Sequence, residues 1–209
     1  MLVHEMMRSP VTTIRADASL LEAERMFREL GFRHLPVVEN GILLGVLTDR
    51  DLRWQTSSLC PAPHGSGEPV RAVMSQPAVT ADPLDPVEDA ARIMRERKIG
   101  CLPVMDGPEL VGILTGMDLL DCLILLTGLD KPSSRLEVAL EDRPGELARL
   151  THFLAERNVN IHSILTYPTP GQPVRTVLRV GSSLSRPLAD ELRGDGFNVL
   201  WPQPKPWSR

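Results

Sequence analysis

The chain has 209 residues, of which 42% are hydrophobic and 24% charged, and its formal net charge is −4. These proportions are typical of a soluble globular protein with one or two domains. The small negative charge and the absence of a Lys/Arg run argue against a protein that binds nucleic acid.

Neither the cysteines nor the N-terminal residues indicate a metal site or a targeting segment. Cys60, Cys101 and Cys122 are far apart and form no CxxC pair, so we expect no disulfide framework, no metal site and a reducing, cytoplasmic environment. The first ten residues lack the apolar core of a signal peptide. The longest apolar run, Leu119–Leu129, is interrupted by Asp121 and is too short to span a bilayer. We interpret it as a buried helix between modules.

The first predicted element is a short β-prone segment at residues 12–14, and an amphipathic helix follows it. Ser19 and Glu22 have the spacing of a capping box at the start of this helix. Its predicted apolar face carries Leu20, Ala23, Phe27 and Leu30. Two β-rich runs and a second helix come next. Residues 1–56 therefore predict a β-α-β-β-α unit, and a linker rich in Pro, Gly and Ser follows at residues 57–69.

Residues 70–129 repeat this unit at a constant offset of 67 residues. Met6–Leu52 and Val73–Leu119, aligned without a gap, share 16 identities in 47 positions, whereas composition alone gives about three. In the first helix of the second copy, Asp85 is the expected N-cap and Pro86 the first helical residue. Its apolar stripe carries Val87, Ala90, Ala91 and Met94. One unit alone would bury too little surface, so we expect the two copies to pack on each other.

Residues 134–203 predict a different module. The run RLEVALE alternates as a strand, DRPG turns into an amphipathic helix, and two further strands, a helix and a closing strand follow. The order βαββαβ is that of the ferredoxin-like split βαβ arrangement. The predicted fold class is therefore α+β.

The repeated phrase is GVLTDRD at Gly45–Asp51 and GILTGMD at Gly112–Asp118. Each copy places Thr-x-x-Asp where a strand ends and a helix begins. Two interpretations are compatible. The threonine and aspartate can form a local helix cap. Alternatively, the free N–H groups of the helix suit a phosphate, and the carboxylate can accept hydrogen bonds from the two hydroxyls of a ribose.

These motifs resemble known families. Met-x-x-Pro before each copy, His-Leu-Pro-Val or Cys-Leu-Pro-Val in the middle and Gly-h-h-Thr-x-x-Asp at the end are similar to a tandem of CBS domains, a Bateman module. The third part, with Asp142–Gly145 and Asn158–Ile161, resembles an ACT domain. The order CBS–CBS–ACT covers nearly the whole chain and is similar to the acetoin-utilisation AcuB family.

The resemblance implies a regulatory sensor of an adenosine-containing ligand, such as AMP, ADP, ATP or another adenosyl compound, and no cofactor. It implies that Asp51 and Asp118 hold ribose hydroxyls, with Thr48 and Thr115 near phosphate or ribose. The residues it places around adenine are Thr13, Ile14, Leu35 and Pro36 in the first copy and Thr80, Ala81, Leu102 and Pro103 in the second. The residues it places near phosphate in the first copy are Arg33, His34 and Arg50, whose uncharged counterparts are Gly100, Cys101 and Met117. Of these three, it places Cys101 at the nucleotide site of the second copy. His34 is equally well interpreted as a partly buried histidine without a ligand.

For the ACT domain, the resemblance implies an amino-acid-type effector near Asp142, Gly145 and Asn160, bound between two copies. A simple dimerisation role is the alternative, because DRPG is also a good strand-to-helix turn. The apolar run Leu119–Leu129 predicts a homodimer or a larger assembly. We expect a regulatory protein rather than an enzyme, since the sequence shows no Walker lysine loop, GxSxG elbow or GxGxxG motif. A ligand-free scaffold that controls a partner enzyme is the alternative function.

Overall fold

The computed structural model describes residues 1–168, 170–181 and 185–203. The chain forms one compact unit over Met1–Leu120 and a second that begins at Asp121. The helices are α1 (Val3–Met6), α2 (Leu20–Leu30), α3 (Asp49–Gln55), α4 (Val87–Arg97), α5 (Gly116–Thr127), α6 (Glu146–Glu156) and α7 (Ser185–Gly194). The strands are β1 (Ile14–Arg15), β2 (His34–Glu39), β3 (Ile42–Thr48), β4 (Cys101–Asp106), β5 (Glu109–Thr115), β6 (Ser134–Leu140), β7 (Ile161–Tyr167), β8 (Val174–Val180) and β9 (Asn198–Trp201).

Each repeat is built around a β-hairpin, and only the first adds a regular third strand. The sheet of the first repeat has the order β1-β2-β3, and that of the second pairs β4 with β5. The first strand expected in the second repeat is reduced to a single parallel bridge between Ala81 and Val104. The linker at residues 57–69 contains turns and no regular element, and a 3₁₀ turn at Val70–Ala72 follows it.

The two repeats exchange their leading segments. Val3 donates its N–H to the carbonyl of Asp85 at 2.9 Å, and Val70, 67 positions later, donates to the carbonyl of Ala18 at 2.8 Å. The N-terminal segment of the first repeat therefore packs on the second repeat, and the end of the linker packs on the first. Since each copy completes the other, the exchange confirms that the copies pack together.

The cores explain which helix predictions succeed. In α2, Leu20, Ala23 and Phe27 are buried as predicted, and Ser19 Oγ accepts the N–H of Glu22 at 3.1 Å. Leu30 was placed on the buried face and is 47% exposed, so that prediction is wrong. It is the last helical residue, beside Gly31, which is left-handed with φ 68°.

The start of α4 also differs from its prediction. The N-cap is Pro86 rather than Asp85, and its side chain makes no capping hydrogen bond. The Asp85 carboxylate instead accepts the N–H of Asp82 at 2.9 Å, within the preceding turn. Val87, Ala90 and Met94 are buried as expected.

Helix α5 contradicts the interpretation of Leu119–Leu129 as a buried helix. Its buried side is formed by Asp118 and Cys122, one turn apart, at 3% exposure each. On its other sides, Leu120, Leu123, Ile124, Leu125 and Leu126 are between 43% and 56% exposed, and Leu119 is partly buried. A helix that is apolar all round needs cover on every side, and one chain covers only part of it. Across the described residues, no helix combines the length and the apolar character needed to cross a membrane.

The second unit has the expected ferredoxin-like architecture. Its four strands lie in the order β7-β8-β6-β9, all antiparallel neighbours, with α6 and α7 between them in the chain. Leu150 and Phe153 of α6 and Leu192 of α7 join the strand residues Leu136 and Leu178 in one core. The βαββαβ prediction is confirmed.

Candidate functional site

The register of the first repeat gathers the predicted residues at one end of its hairpin. His34 lies opposite Thr48, and Pro36 opposite Val46. The amide of Asp49 donates to the carbonyl of Arg33 at 3.1 Å. The start of β2 and the N-terminus of α3 are therefore held together.

The second repeat reproduces this geometry. Cys101 lies opposite Thr115, and Pro103 opposite Ile113. The amide of Gly116 donates to the carbonyl of Gly100, again at 3.1 Å. The segment before α4 pairs with the same hairpin, since the N–H of Ala81 donates to the carbonyl of Pro103 at 3.0 Å.

Thr48 and Asp51 form a local cap at the start of α3. Thr48 Oγ1 accepts the N–H of Asp51 at 3.1 Å and donates its hydroxyl proton to Asp51 Oδ2 at 2.7 Å. These two hydrogen bonds are those that the capping interpretation predicts. A carboxylate has room for about four hydrogen bonds, so Asp51 keeps acceptor capacity for a ligand.

Asp118 is in a more crowded environment. Its Oδ2 accepts from the Thr115 hydroxyl at 2.5 Å and from the Thr115 amide at 2.8 Å. Its Oδ1 accepts from Nε of Arg8 at 2.8 Å. The Asp118 side chain is 3% exposed and the Arg8 side chain 65% exposed. Asp118 thus has a cationic partner from the N-terminal segment of the first repeat.

Sequence reasoning missed Arg8. The pair spans 110 positions, and no local motif connects the two residues. The available signal was the offset of 67, which sets Arg8 against Ser75 in otherwise similar Met-x-x-Pro segments. The exchange of leading segments then determines that position 8 serves the second repeat.

His34 lies against the second repeat. A Cβ added to Gly100 would clash with Nε2 of His34 and lie 3.0 Å from its Cε1. A side chain at position 100 would therefore displace the His34 ring. Burial is the main cause of a lowered pKa for His34; the carboxylate of Asp49 opposes that shift, and Arg33 and Arg50 add to it. His34 is thus a partly buried histidine with a lowered pKa, and it lies close to the charged residues of the first repeat.

Cys101 occupies the equivalent of His34 and behaves differently. It is buried, and burial raises the pKa of its thiol to about 12. The thiol stays protonated at neutral pH, which makes Cys101 a packing residue rather than a nucleophile. Arg33 and Arg50 are exposed in the first repeat, whereas Met117 is the exposed counterpart of Arg50.

Two clefts lie in the first unit. One, of about 600 Å³, is formed by α2, α3 and the linker and includes Asp49. The other, of about 510 Å³, is lined by residues 9–13, by Val38 and Gly41, and by the start of β5, and it includes Thr13. Asp51 and Asp118 line neither of them. Both volumes are in the range of small-molecule sites.

The predicted ACT residues do not meet within one chain. Asp142 and Gly145 follow the end of β6, where Leu140 pairs with Val174. Asn160 precedes β7 at the other end of β8 and accepts the N–H of Gly181 at 2.9 Å. A seven-residue strand separates these ends by about 20 Å. A site that uses all three residues needs a second copy of the chain.

No cluster of three or more metal-ligating side chains occurs in the part of the chain that the structure describes. The sequence-based expectation of no metal site concerns the whole chain and stays a prediction.

Comparison with known families assigns the modules. The CBS domain model matches residues 3–55 and 70–125, which is more than half of the chain. The ACT domain model matches residues 134–193. The chain belongs to the CBS-domain family. It is a tandem CBS pair followed by an ACT domain, an architecture typical of regulatory modules.

Known relatives match the CBS pair. A CBS domain-containing protein of Dictyostelium discoideum is 37% identical over 132 residues, covering 59% of this chain and 91% of that protein. CBS domain-containing protein YhcV of Bacillus subtilis is 36% identical over 118 residues, 56% of this chain and 81% of its own.

Solved structures agree with the fold. The CBS domain pair of protein MJ0100, solved in complex with 5′-methylthioadenosine and S-adenosyl-L-methionine, is 26% identical with a TM-score of 0.54, over 63% of this chain and 98% of that one. A putative acetoin utilization protein (AcuB) from Vibrio cholerae is 32% identical with a TM-score of 0.54, over 64% and 98% respectively.

Proposed function

We propose that this protein is a regulatory sensor that binds an adenosine-containing ligand at its CBS pair, with Asp51 as the principal ribose-binding carboxylate. The observation that carries the proposal is the Thr48–Asp51 cap. It fixes a carboxylate with spare acceptor capacity at the first turn of α3, next to the exposed Arg33 and Arg50. The ligands of the MJ0100 pair share the adenosyl group and support this ligand class.

The roles follow from the chemistry of each residue. Asp51 accepts from the ribose hydroxyls through charge-assisted hydrogen bonds. Arg33 and Arg50 interact with phosphate, for which a guanidinium is well suited. Backbone near Thr13, Ile14 and Pro36 surrounds adenine. In the second repeat, Thr80, Ala81 and Pro103 take the adenine role and Asp118 the ribose role, and the absence of charge at Gly100 and Met117 favours a ligand with fewer phosphates.

A thermal-shift panel tests the proposal. AMP, ADP, ATP, NAD, S-adenosylmethionine and 5′-methylthioadenosine are each added at millimolar concentration. A ligand present at a hundred times its Kd stabilises the fold by about 2.7 kcal/mol, which raises Tm by several degrees for a protein of this size. Guanosine and cytidine nucleotides are matched controls. The proposal is wrong if no adenosine compound shifts Tm beyond these controls.

The exposed apolar side chains of α5 favour a second element of the proposal, a homodimer or larger assembly. An amino-acid effector site between copies would in turn require Asp142 and Gly145 of one chain to lie near Asn160 of another. Light scattering at tens of micromolar measures the mass directly. A monomer at that concentration refutes the assembly and the shared ACT site together.

The target of the regulation is proposed only as a class. We infer a partner enzyme in the cytoplasm, and the similarity to AcuB from Vibrio cholerae supports a link to acetoin utilisation. A ligand-free scaffold is the second candidate, since the Arg8–Asp118 ion pair already satisfies one of the two carboxylates without a ligand. Ligand-induced stabilisation separates the two candidates.

A further inference from the structure

The backbone near the carboxylate of Asp51 is nearly identical to the backbone near that of Asp118. In the second repeat, Arg8 and Ile113 exchange two backbone hydrogen bonds, of 2.9 and 3.1 Å. In the first, Ser75 and Val46 exchange the equivalent pair, of 2.9 and 3.0 Å. The backbone hydrogen bonds at positions 8 and 75 are therefore equivalent, and the two positions differ in their side chains.

That single difference changes the carboxylate. Arg8 reaches Asp118 through its guanidinium, at 2.8 Å, and the carboxylate is 3% exposed. Ser75 has no charge and a short side chain. Asp51 is partly exposed, and among the described residues no ion pair to it is found within 4.0 Å. The Asp118 carboxylate is thus paired with an arginine, whereas the Asp51 carboxylate is accessible to a ligand.

We propose that Arg8 is a specificity-determining residue that occupies the second ribose subsite in place of ligand, so that the two half-sites of the CBS pair bind unequally. The inference rests on the proposed adenosine-binding function. A ribose hydroxyl is a neutral donor, whereas the guanidinium adds the Coulomb attraction of a full charge to its hydrogen bond with the buried carboxylate. A ligand at Asp118 therefore has to replace a stronger partner than the one it brings.

The exposure of Arg8 makes this exchange reversible. Its side chain is 65% exposed, so the displaced guanidinium can be hydrated without crossing the core. Asp118, in contrast, is buried and needs a partner at all times. The ligand and Arg8 thus compete for one carboxylate oxygen, Oδ1.

The decisive test uses 5′-methylthioadenosine, which has no phosphate and therefore reports on the ribose subsite without attraction between arginine and phosphate. Calorimetry compares Asp51→Ala with the double variant Asp51→Ala/Arg8→Ser, which gives the second repeat the residue of the first. Removal of the competing charged hydrogen bond should tighten binding at Asp118 about tenfold to a hundredfold. Circular dichroism checks that both variants are folded.

Ser75→Arg is the reciprocal variant, at an exposed position. It should close the first subsite and weaken binding to the otherwise unchanged protein about tenfold or more, whereas Ser75→Ala should leave it unchanged. The inference is overturned if Arg8→Ser does not tighten binding in the Asp51→Ala background, or if Ser75→Arg binds as the unchanged protein does. In those cases the unchanged protein still binds, and the proposed function survives. An absence of binding to every variant and to the unchanged protein overturns both.

Discussion

The two CBS repeats have one backbone plan and different chemistry. Hydrogen bonds recur at equal offsets, as between Asp49 and Arg33 and between Gly116 and Gly100, both at 3.1 Å. The side chains that differ are concentrated around the Thr-x-x-Asp motifs: an arginine meets one aspartate, and exposed arginines accompany the other. The two repeats therefore share a scaffold, and a few side chains give the two carboxylates different surroundings.

The largest expected change in the free energy of unfolding comes from the contacts of the exchanged segments. Gly45→Ala would drive a Cβ into the backbone carbonyl of Ser75, whereas the equivalent Gly112→Ala meets the flexible side chain of Met7. Overpacking typically costs about 1–3 kcal/mol. We expect about 3 kcal/mol for Gly45→Ala and about 1 kcal/mol for Gly112→Ala, measured by urea unfolding. Equal losses would mean that the two contacts are equally rigid.

The sequence predicted the fold well because the repeat and the ferredoxin-like pattern are carried by periodic, local signals. It also placed Thr48 and Thr115 correctly, since a strand-to-helix junction is a local feature. It failed where the outcome depends on distant partners. Burial of Leu119–Leu129 needed a covering surface that one chain does not supply, and the Arg8–Asp118 pair arises from the exchange of segments far apart in sequence.

A smaller effect is expected from the local cap. Thr48→Val removes the acceptor for the Asp51 amide and the donor to the Asp51 carboxylate. Loss of an N-cap costs about 1 kcal/mol. Thermal unfolding should show this loss, and Thr48→Ser, which keeps the hydroxyl, should be nearly neutral. If Thr48→Ser destabilises as much as Thr48→Val, the methyl group rather than the cap is responsible.

The smallest expected effect is a pH dependence of stability that arises from His34 in the first repeat. Burial lowers the pKa of His34 from its ordinary value of 6.5, so the unfolded chain binds a proton more readily than the folded one. The contribution of His34 to stability is complete above pH 6.5 and is lost as the pH falls through the lower folded-state value.

The measurement is the free energy of unfolding at several pH values between about 7.5 and 5. The His34→Gln variant should show a shallower acid loss than the unchanged protein. The Cys101→Ala variant should keep the full slope, since the pKa of this thiol is about 12. A slope that His34→Gln leaves unchanged would assign the acid sensitivity to other groups.

The most direct test of the central claim is calorimetric titration of ATP into Asp51→Ala and Asp118→Ala. Loss of a hydrogen-bonded charged partner costs about 1.5–3 kcal/mol, or ten- to hundredfold in affinity. We expect Asp51→Ala to lose the tight ATP binding, because the accessible carboxylate and the arginines Arg33 and Arg50 belong to the first repeat. Asp118→Ala should keep it and should remove only a second, weaker binding event, because Arg8 already pairs with that carboxylate. ATP binding that survives in Asp51→Ala and disappears in Asp118→Ala would contradict the account.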